Sequence, residues 1–184
     1  GSIEGDYKGV RQGTGVADNR YSTHSQTTIT TGSKIIVMSA AEVWFLRAEA
    51  ALRGYTSEDV ENCYKQGITV SFSQWDANGV SDYLESEETP AAYVDAFDKK
   101  FDADAPTSIT PKWDESATPE QKLERIITQK WLAIYPEGCE AWAGQRRTGY
   151  PRLSEQQRQH HQHRRYDSPR ILQPRLQNGQ QSVV

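Results

Sequence analysis

The stretch that decides the fold is MSAAEVWFLRAEAALRGY, residues 38–55, where five alanines stand beside a tryptophan and a phenylalanine. Its apolar residues recur at helical spacing, which predicts a helix over about 36–53. Gly54 stands where helices commonly end. Glu49 precedes Arg53 by four positions, a favourable pairing on a helix surface. The stretch therefore predicts one amphipathic helix that is closed by a glycine.

A second helix is predicted directly after this turn. Thr56 or Ser57 is the expected N-cap, because a hydroxyl oxygen accepts a hydrogen bond from the first turn of a helix. The helix is predicted to run to about Trp75, so the two helices form an antiparallel hairpin over about 36–75. Its predicted inner face consists of Val60, Tyr64, Gly67, Ser71 and Trp75.

The small residues indicate how the hairpin packs. Trp44 and Ala48 in the first helix and Tyr64 and Gly67 in the second have offsets like those of tetratricopeptide repeats. We predict that Ala48 and Gly67 leave gaps and that Trp44 and Tyr64 fill gaps of this kind. Such an arrangement is packing and carries no chemistry. Because tandem repeats bury their faces against neighbours, we expect the rest of the array either elsewhere in the parent chain or in degenerate form within this one.

Three more helices are predicted after a polar connector at 76–88. Thr89-Pro90 is expected to start a short helix that carries Tyr93, Val94, Phe97 and Phe101 on one face. A loop follows over 102–117. The sequence TPEQ, residues 118–121, is a capping box with proline at the first helical position. The helix that it opens is predicted to run to about Tyr135 and to bury Leu123, Ile126, Ile127, Trp131 and Ile134. A last short helix, around 138–146, carries Trp142.

Two long blocks resemble a known family in the right order. The first is residues 38–55 followed by YKQGITVSFSQW, residues 64–75; the second is RIITQKWLAIYPEGCEAWAGQRRTGYPRL, residues 125–153. Together they resemble the C-terminal part of SusD/RagB-type outer-membrane lipoproteins, with the second SusD-like subfamily as the nearest form. The resemblance covers about residues 34–153.

The resemblance implies a mostly α fold of tetratricopeptide-type helix pairs, in which long loops carry the ligand site. It implies a lipoprotein on the extracellular face of the outer membrane that caps a SusC-type TonB-dependent transporter. Such a protein binds oligosaccharides or peptides and passes them to the transporter, with no cofactor and no catalysis. We expect the lipidated cysteine, the membrane anchor and most of the N-terminal half to lie outside this chain.

The C-terminal tail differs from the rest in composition. We assign residues 1–153 to the SusD-like domain and expect 154–184, which are rich in Gln, His and Arg, to lack native packing. His160, His161 and His163 lie in this tail, where a structured metal site is not expected. The net charge is −4, and residues 1–150 carry 23 acidic against 15 basic residues. An acidic body disfavours nucleic acid as a partner.

The two cysteines are not spaced for zinc binding. Cys63 and Cys139 are expected to be unpaired, buried thiols, and a disulfide between them is the alternative.

Aromatic side chains in loops are the candidates for glycan binding, because a sugar packs its C–H face on an exposed ring beside polar groups. Trp113, with Lys112 and Asp114, is the first candidate. Trp75, with Asp76 and Asn78, is the second, and Tyr83 is the third. For each, packing within the fold is the alternative. Trp44, Trp131 and Trp142 lie on apolar helix faces and are assigned to the core.

The arginine pair Arg146-Arg147 is expected to be structural. A guanidinium suits a buried carboxylate, so we predict that one of the pair bonds Glu42, Glu49 or Glu140.

Two other classes of protein remain as alternatives. Glu85, Glu87, Glu88 and Asp98 could supply the acid and base of a glycoside hydrolase, although that chemistry needs two carboxyls that converge across a cleft. A helical-repeat module that binds another protein is the second alternative.

Overall fold

The computed structural model describes residues 9–11, 25, 29–33 and 35–154. Within these residues the chain forms five α-helices and the 3-10 turn Lys99–Phe101. They contain no strand, and one antiparallel bridge joins Tyr93 to Ala103. The mostly α fold is therefore confirmed, while residues 155–184 of the predicted unpacked tail lie outside the described part. The helices are α1 Ala40–Leu52, α2 Val60–Gln74, α3 Val80–Leu84, α4 Pro119–Ala133 and α5 Gly138–Thr148.

The helix α1 ends at the predicted glycine but begins about four residues later than predicted. The hydroxyl of Ser39 accepts a hydrogen bond from the N–H of Glu42 at 3.0 Å and so caps the first turn. At the other end Gly54 has a φ of 75°, which places it in the left-handed region. The N–H of Tyr55 then donates to the carbonyl of Ala50 at 2.9 Å, which satisfies the last turn.

The helix α2 starts later than predicted. Its N-cap is Asp59, whose carboxylate accepts from the N–H of Asn62 at 2.5 Å. Thr56 and Ser57 instead lie exposed in the connecting turn. Aspartate is as good a cap as serine or threonine, so the sequence offered three acceptable caps and tertiary packing selected the last.

The packing between α1 and α2 uses a different filler from the one predicted. A Cβ at Gly67 would lie 2.7 Å from Cζ of Phe45, so the ring of Phe45 occupies the gap that this glycine leaves. Phe45 also meets Tyr64 edge to face, with ring centroids 6.1 Å apart. Trp44, the predicted filler, is half-buried and carries the guanidinium of Arg47 at 3.9 Å above its ring. Adjacent residues point about 100° apart on a helix, so this error of one position moved the filler to a different face.

The helix α4 packs on the hairpin and completes the core. Its capping box is present, since Thr118 and Gln121 exchange hydrogen bonds as predicted. Leu123, Ile126 and Ile127 are buried, and so is Ile134 just after the helix. Trp131, however, is 37% exposed, and its assignment to the core is wrong. The charged residue beside it, Lys130, takes the inward position, which no pattern of hydrophobic residues could indicate.

Residues 76–117 differ most from the prediction. The short helix α3 lies in the predicted polar connector. The α-helix that was predicted to start at Thr89-Pro90 does not form. There the carboxylate of Asp95 accepts from the N–H groups of Phe97 and Asp98, each at 2.9 Å. A side chain that binds backbone N–H groups in this way competes with helix formation.

Both cysteines are free thiols, as expected, which excludes the disulfide alternative. Cys63 is buried, but Cys139 is exposed, so its predicted burial is wrong. None of the described helices combines the length and the apolar character needed to cross a bilayer.

Candidate ligand-binding site

An open cavity of about 690 Å³ lies where α2 and α4 end and α5 begins. Trp75, Trp131 and Tyr135 supply its aromatic surface, and we call these three residues the aromatic groove. Trp75 is 40% exposed, and its ring centroid lies 6.5 Å from that of Tyr135. The aliphatic part of the lining includes Leu132, Ile134, Pro136 and Ala141.

The end of α2 places Trp75 at the groove. Trp75 is the C-cap, and its N–H donates to the carbonyl of Ser71 at 3.2 Å. Asp76 follows with a φ of 52°, in the left-handed region that aspartate tolerates better than most residues. The N–H of Ala77 then returns to the carbonyl of Phe72 at 2.9 Å. This closure turns the chain away and leaves the indole of Trp75 at the helix end.

The end of α4 supplies the other two rings. Trp131 and Tyr135 are four positions apart and so lie along one side of the chain at the helix terminus. Pro136 follows and cannot continue a helix. A second cavity of about 630 Å³ shares Trp75, Pro136 and Glu137 with the first and extends toward residues 29–36. The two cavities form one elongated surface around Trp75.

The chemistry of the groove is apolar with few polar groups. Ser25 and Glu137 are the polar side chains of its lining, and the rest is aromatic or aliphatic. Flat aromatic faces with a small number of hydrogen-bonding groups suit a ligand that has apolar faces and a polar rim. A pyranose ring has this character, because its C–H groups and its hydroxyls point in different directions.

Trp113, the first candidate from sequence, lies in the core instead. It is 7% exposed and packs on Tyr64 with ring centroids 5.1 Å apart, while its indole N–H donates to Glu115 at 2.9 Å. The hydroxyl of Tyr64 donates to the carbonyl of Pro111 at 2.6 Å, which draws the loop onto α2. With its face covered in this way, Trp113 offers no platform for a sugar.

Tyr83 is also engaged within the fold. Its ring lies 5.2 Å from that of Phe72, and its hydroxyl donates to Gln129 at 3.0 Å. Burial raises the pKa of Tyr83, and the hydrogen bond with Gln129 opposes that rise. Asp76 and Asn78 are exposed in the turn after Trp75, but neither lines the two cavities. Of the five candidates, the structure brings only Trp75 into the groove.

The sequence interpretation missed Trp131 and Tyr135. The sequence predicts burial for Trp131, since it follows Ile127 at helical spacing, and it identifies Tyr135 only as the approximate end of the helix. The proline after Tyr135 could have indicated that these two side chains are exposed. Pro136 ends the helix, and side chains in the last turn of a helix have fewer neighbours on their own chain.

Two of the four candidate acid–base carboxylates, Glu87 and Asp98, are held in ion pairs with lysines. Glu87 bonds Lys112 at 2.7 Å and Asp98 bonds Lys100 at 2.7 Å, and these contacts lower the pKa of both carboxyls. A general acid in a glycosidase needs a raised pKa. The described residues also contain no group of three or more side chains placed to hold a metal ion.

A set of ion pairs, each with at least one buried partner, lies beside the groove. Lys130 is 3% exposed, and its Nζ lies 3.2 Å from Glu42 and 2.6 Å from Glu140. Both guanidinium NH₂ groups of Arg147 bond Glu49, one of them at 2.7 Å. The prediction that one of the arginine pair bonds Glu42, Glu49 or Glu140 is therefore confirmed for Arg147.

The other member of the pair stays on its own helix. The guanidinium of Arg146 lies 4.9 Å above the ring of Trp142. Trp142 is 62% exposed, so its assignment to the core is wrong.

Glu49 illustrates how the ion pairs offset burial. Burial alone would raise its pKa, but hydrogen bonds from Arg147 and Arg53 outweigh that effect and lower it. The pKa of Glu140 is lowered as well, chiefly by the hydrogen bond from Lys130. Both carboxylates are therefore held in their ionised form.

Comparison with known proteins gives one family. The SusD-like family, described as "Susd and RagB outer membrane lipoprotein", matches residues 2–180. A search of curated proteins finds no match.

Solved structures of the same family are similar to this chain. A SusD homologue from Bacteroides thetaiotaomicron is 38% identical, with a TM-score of 0.75, over 80% of this chain and 32% of that one. A chitin-binding SusD homologue from Flavobacterium johnsoniae is 47% identical, with a TM-score of 0.63, over 65% of this chain and 25% of that one. A Bacteroides vulgatus homologue is 45% identical, with a TM-score of 0.68, over 74% of this chain and 28% of that one. The chain thus spans about a quarter to a third of the length of these relatives.

Proposed function

Because this chain belongs to the SusD-like family of outer membrane lipoproteins, we propose that its protein binds oligosaccharides at the cell surface and that the aromatic groove contacts them. The protein then passes the glycan to a SusC-type TonB-dependent transporter. It makes and breaks no covalent bond. A lipid anchor would hold it on the extracellular face of the outer membrane.

The observation that carries the proposal is the pair of exposed tryptophans in one cavity. Trp75 and Trp131 are 40% and 37% exposed and line the same open surface. Large aromatic rings are costly to leave in water, and in a binding surface they provide broad contact with little conformational entropy to lose. The similar chitin-binding homologue makes oligomers of N-acetylglucosamine the first ligands to try.

The test is a calorimetric titration of the full-length protein with chitooligosaccharides and with other soluble glycans. Trp75→Ala is expected to weaken binding of the preferred glycan by about tenfold or more, which corresponds to about 1.4 kcal/mol. Trp142→Ala is the matched control, because it removes an exposed indole that does not line the groove.

The outcomes separate the candidate functions. A role of the groove in binding would be contradicted if both variants weakened glycan binding equally, or if neither weakened it. If no glycan binds and peptides do, the function would instead be peptide capture or that of a helical-repeat interaction module. Release of reducing sugar from a bound glycan would contradict the non-enzymatic role.

Delivery to a transporter requires a separate experiment. Affinity purification of the full-length protein from outer membranes is expected to recover a TonB-dependent transporter in about equal amount. Trp75→Ala should keep that partner, because the substitution is aimed at the glycan contact.

A further inference from the structure

The helix α5 forms one wall of the aromatic groove without burying any of its own side chains. Its residues Gly138 and Ala141 line the cavity. Toward α4 it presents the small residues Ala141 and Gly144, and a small open cleft of about 10 Å³ lies between the two helices. Small side chains beside an open cleft make few dispersion contacts. Apolar packing alone therefore leaves this wall weakly fixed.

Two cations connect α5 to the other helices. Lys130 on α4 bonds Glu140 in the first turn of α5 at 2.6 Å. Arg147 in the last turn bonds Glu49 on α1 through both of its NH₂ groups. Lys130 and Glu49 are 3% and 5% exposed, and buried charges are tolerated when they are paired. The ion pairs thus fix both ends of α5, each against a different helix.

The chain on either side of α5 is anchored independently. Ile134 before it and Tyr150 after it are buried, and the hydroxyl of Tyr150 donates to Glu120 at 2.7 Å. Loss of an ion pair would therefore loosen α5 in place and would not detach it from the fold. Such loosening would move the groove wall next to Trp131 and Tyr135.

We infer that Lys130 and Arg147 are positioning residues of the aromatic groove, which hold α5 against α4 and α1 and fix the wall that the ligand meets. Neither side chain needs to touch the ligand for this effect. The consequence for binding rests on the proposed glycan function, whereas the placement of α5 can be measured without any ligand.

Hydrogen exchange in the full-length protein tests the placement. In Arg147→Gln the amides of 138–148 are expected to exchange about tenfold faster or more, while those of α2 keep the wild-type rate. Arg53→Gln is the matched control, because Arg53 bonds the same Glu49 at 2.9 Å but lies at the C-terminal end of α1. Arg147→Lys keeps the charge without the paired geometry, so it should restore part of the protection.

Three results would overturn the inference at this step. They are equal exchange in Arg147→Gln and Arg53→Gln, faster exchange of α2 together with α5, and no recovery in Arg147→Lys. The second result would make Arg147 a residue of global stability.

Binding of the preferred glycan is the second arm of the test. Arg147→Gln is expected to weaken it several-fold, Arg147→Lys less, and Arg53→Gln not at all. If the wild type binds none of the glycans, the proposed function fails and the exchange rates still decide the placement of α5. If the wild type binds and Arg147→Gln binds equally well, the positioning role is wrong while the proposed function stands.

Discussion

The α1–α2 hairpin and the helix α5 are held in opposite ways. In the hairpin, Phe45, Tyr64 and Ile68 are almost wholly buried, and one ring fits against a glycine. In α5 no side chain is buried, and ion pairs to Glu49 and Lys130 make the connection. Apolar interlocking tolerates little change in shape, whereas charged contacts depend on pH and salt. The hairpin is thus suited to be scaffold, while the position of α5 depends on its charged contacts.

The largest difference is expected for an apolar truncation. Phe45→Ala removes a ring that is 1% exposed and should cost about 3–5 kcal/mol of unfolding free energy. Val43 lies on the outer side of the same helix, so Val43→Ala should change the free energy of unfolding by about 0.5 kcal/mol or less. Denaturant titration of both variants measures the contrast. A similar cost for the two would mean that the hairpin interface is not where the structure places it.

A second contrast adds one methyl group at two glycines. In Gly67→Ala the new Cβ would meet Phe45, so overpacking of about 1–3 kcal/mol should exceed the gain in helix propensity of about 1 kcal/mol. Gly144→Ala in α5 meets no heavy atom within 4 Å and should stabilise the helix. Thermal unfolding of the two variants measures this difference in stability. Stabilisation by Gly67→Ala would show that the contact with Phe45 is loose.

A pH series distinguishes the charged region from the apolar one. The folded-state pKa of Glu49 is lowered, so its stabilising effect is present above the ordinary glutamate value of about 4.3 and is lost as pH falls through the lower folded value. Arg53 and Arg147 are the charged groups that face it. Glu140, opposite Lys130, acts in the same direction.

The variant Glu49→Gln isolates this contribution. It should lower stability at pH 7 by about 1 kcal/mol after solvent screening, and its melting temperature should fall less steeply than that of the wild type on acidification below about pH 4.3. Parallel curves for variant and wild type would contradict the assigned role of Glu49.

The smallest effect is expected at the exposed face of α5. Trp142→Ala should change unfolding free energy by about 0.5 kcal/mol or less, because Trp142 is 62% exposed and its contact with Arg146 is within one helix. A loss of about 2 kcal/mol or more in the full-length protein would mean that another part of the chain covers this indole.

The parts of the fold that sequence predicted well are those with strong local signals. The C-terminal end of α1 and the capping box of α4 follow from residues that satisfy backbone groups within one turn. The side chain that fills the gap in the hairpin was harder to predict, since Trp44 and Phe45 are adjacent. Only the position of α2 decides which of the two points inward. The helix predicted after Thr89-Pro90 was wrong because the carboxylate of Asp95 binds backbone N–H groups. That contact forms only in the turn that the segment adopts.

The candidate site was less accessible to sequence than the fold. Trp113 and Trp131 were exchanged in role: the loop residue is buried by the contact between Tyr64 and Pro111, and the helix residue is exposed because Lys130 takes the inward position. Hydrophobic periodicity cannot identify an inward lysine, since its burial depends on Glu42 and Glu140 from two other helices. The bond between Arg147 and Glu49 was predictable because a guanidinium and a buried carboxylate are chemically matched.

The most direct test of the aromatic groove is hydroxyl-radical footprinting of the full-length protein with and without the glycan that it binds best. The account predicts that oxidation of Trp75 and Trp131 falls when the glycan is present, while that of Trp142 stays the same. Protection of Trp142 without protection of Trp75 and Trp131 would contradict it.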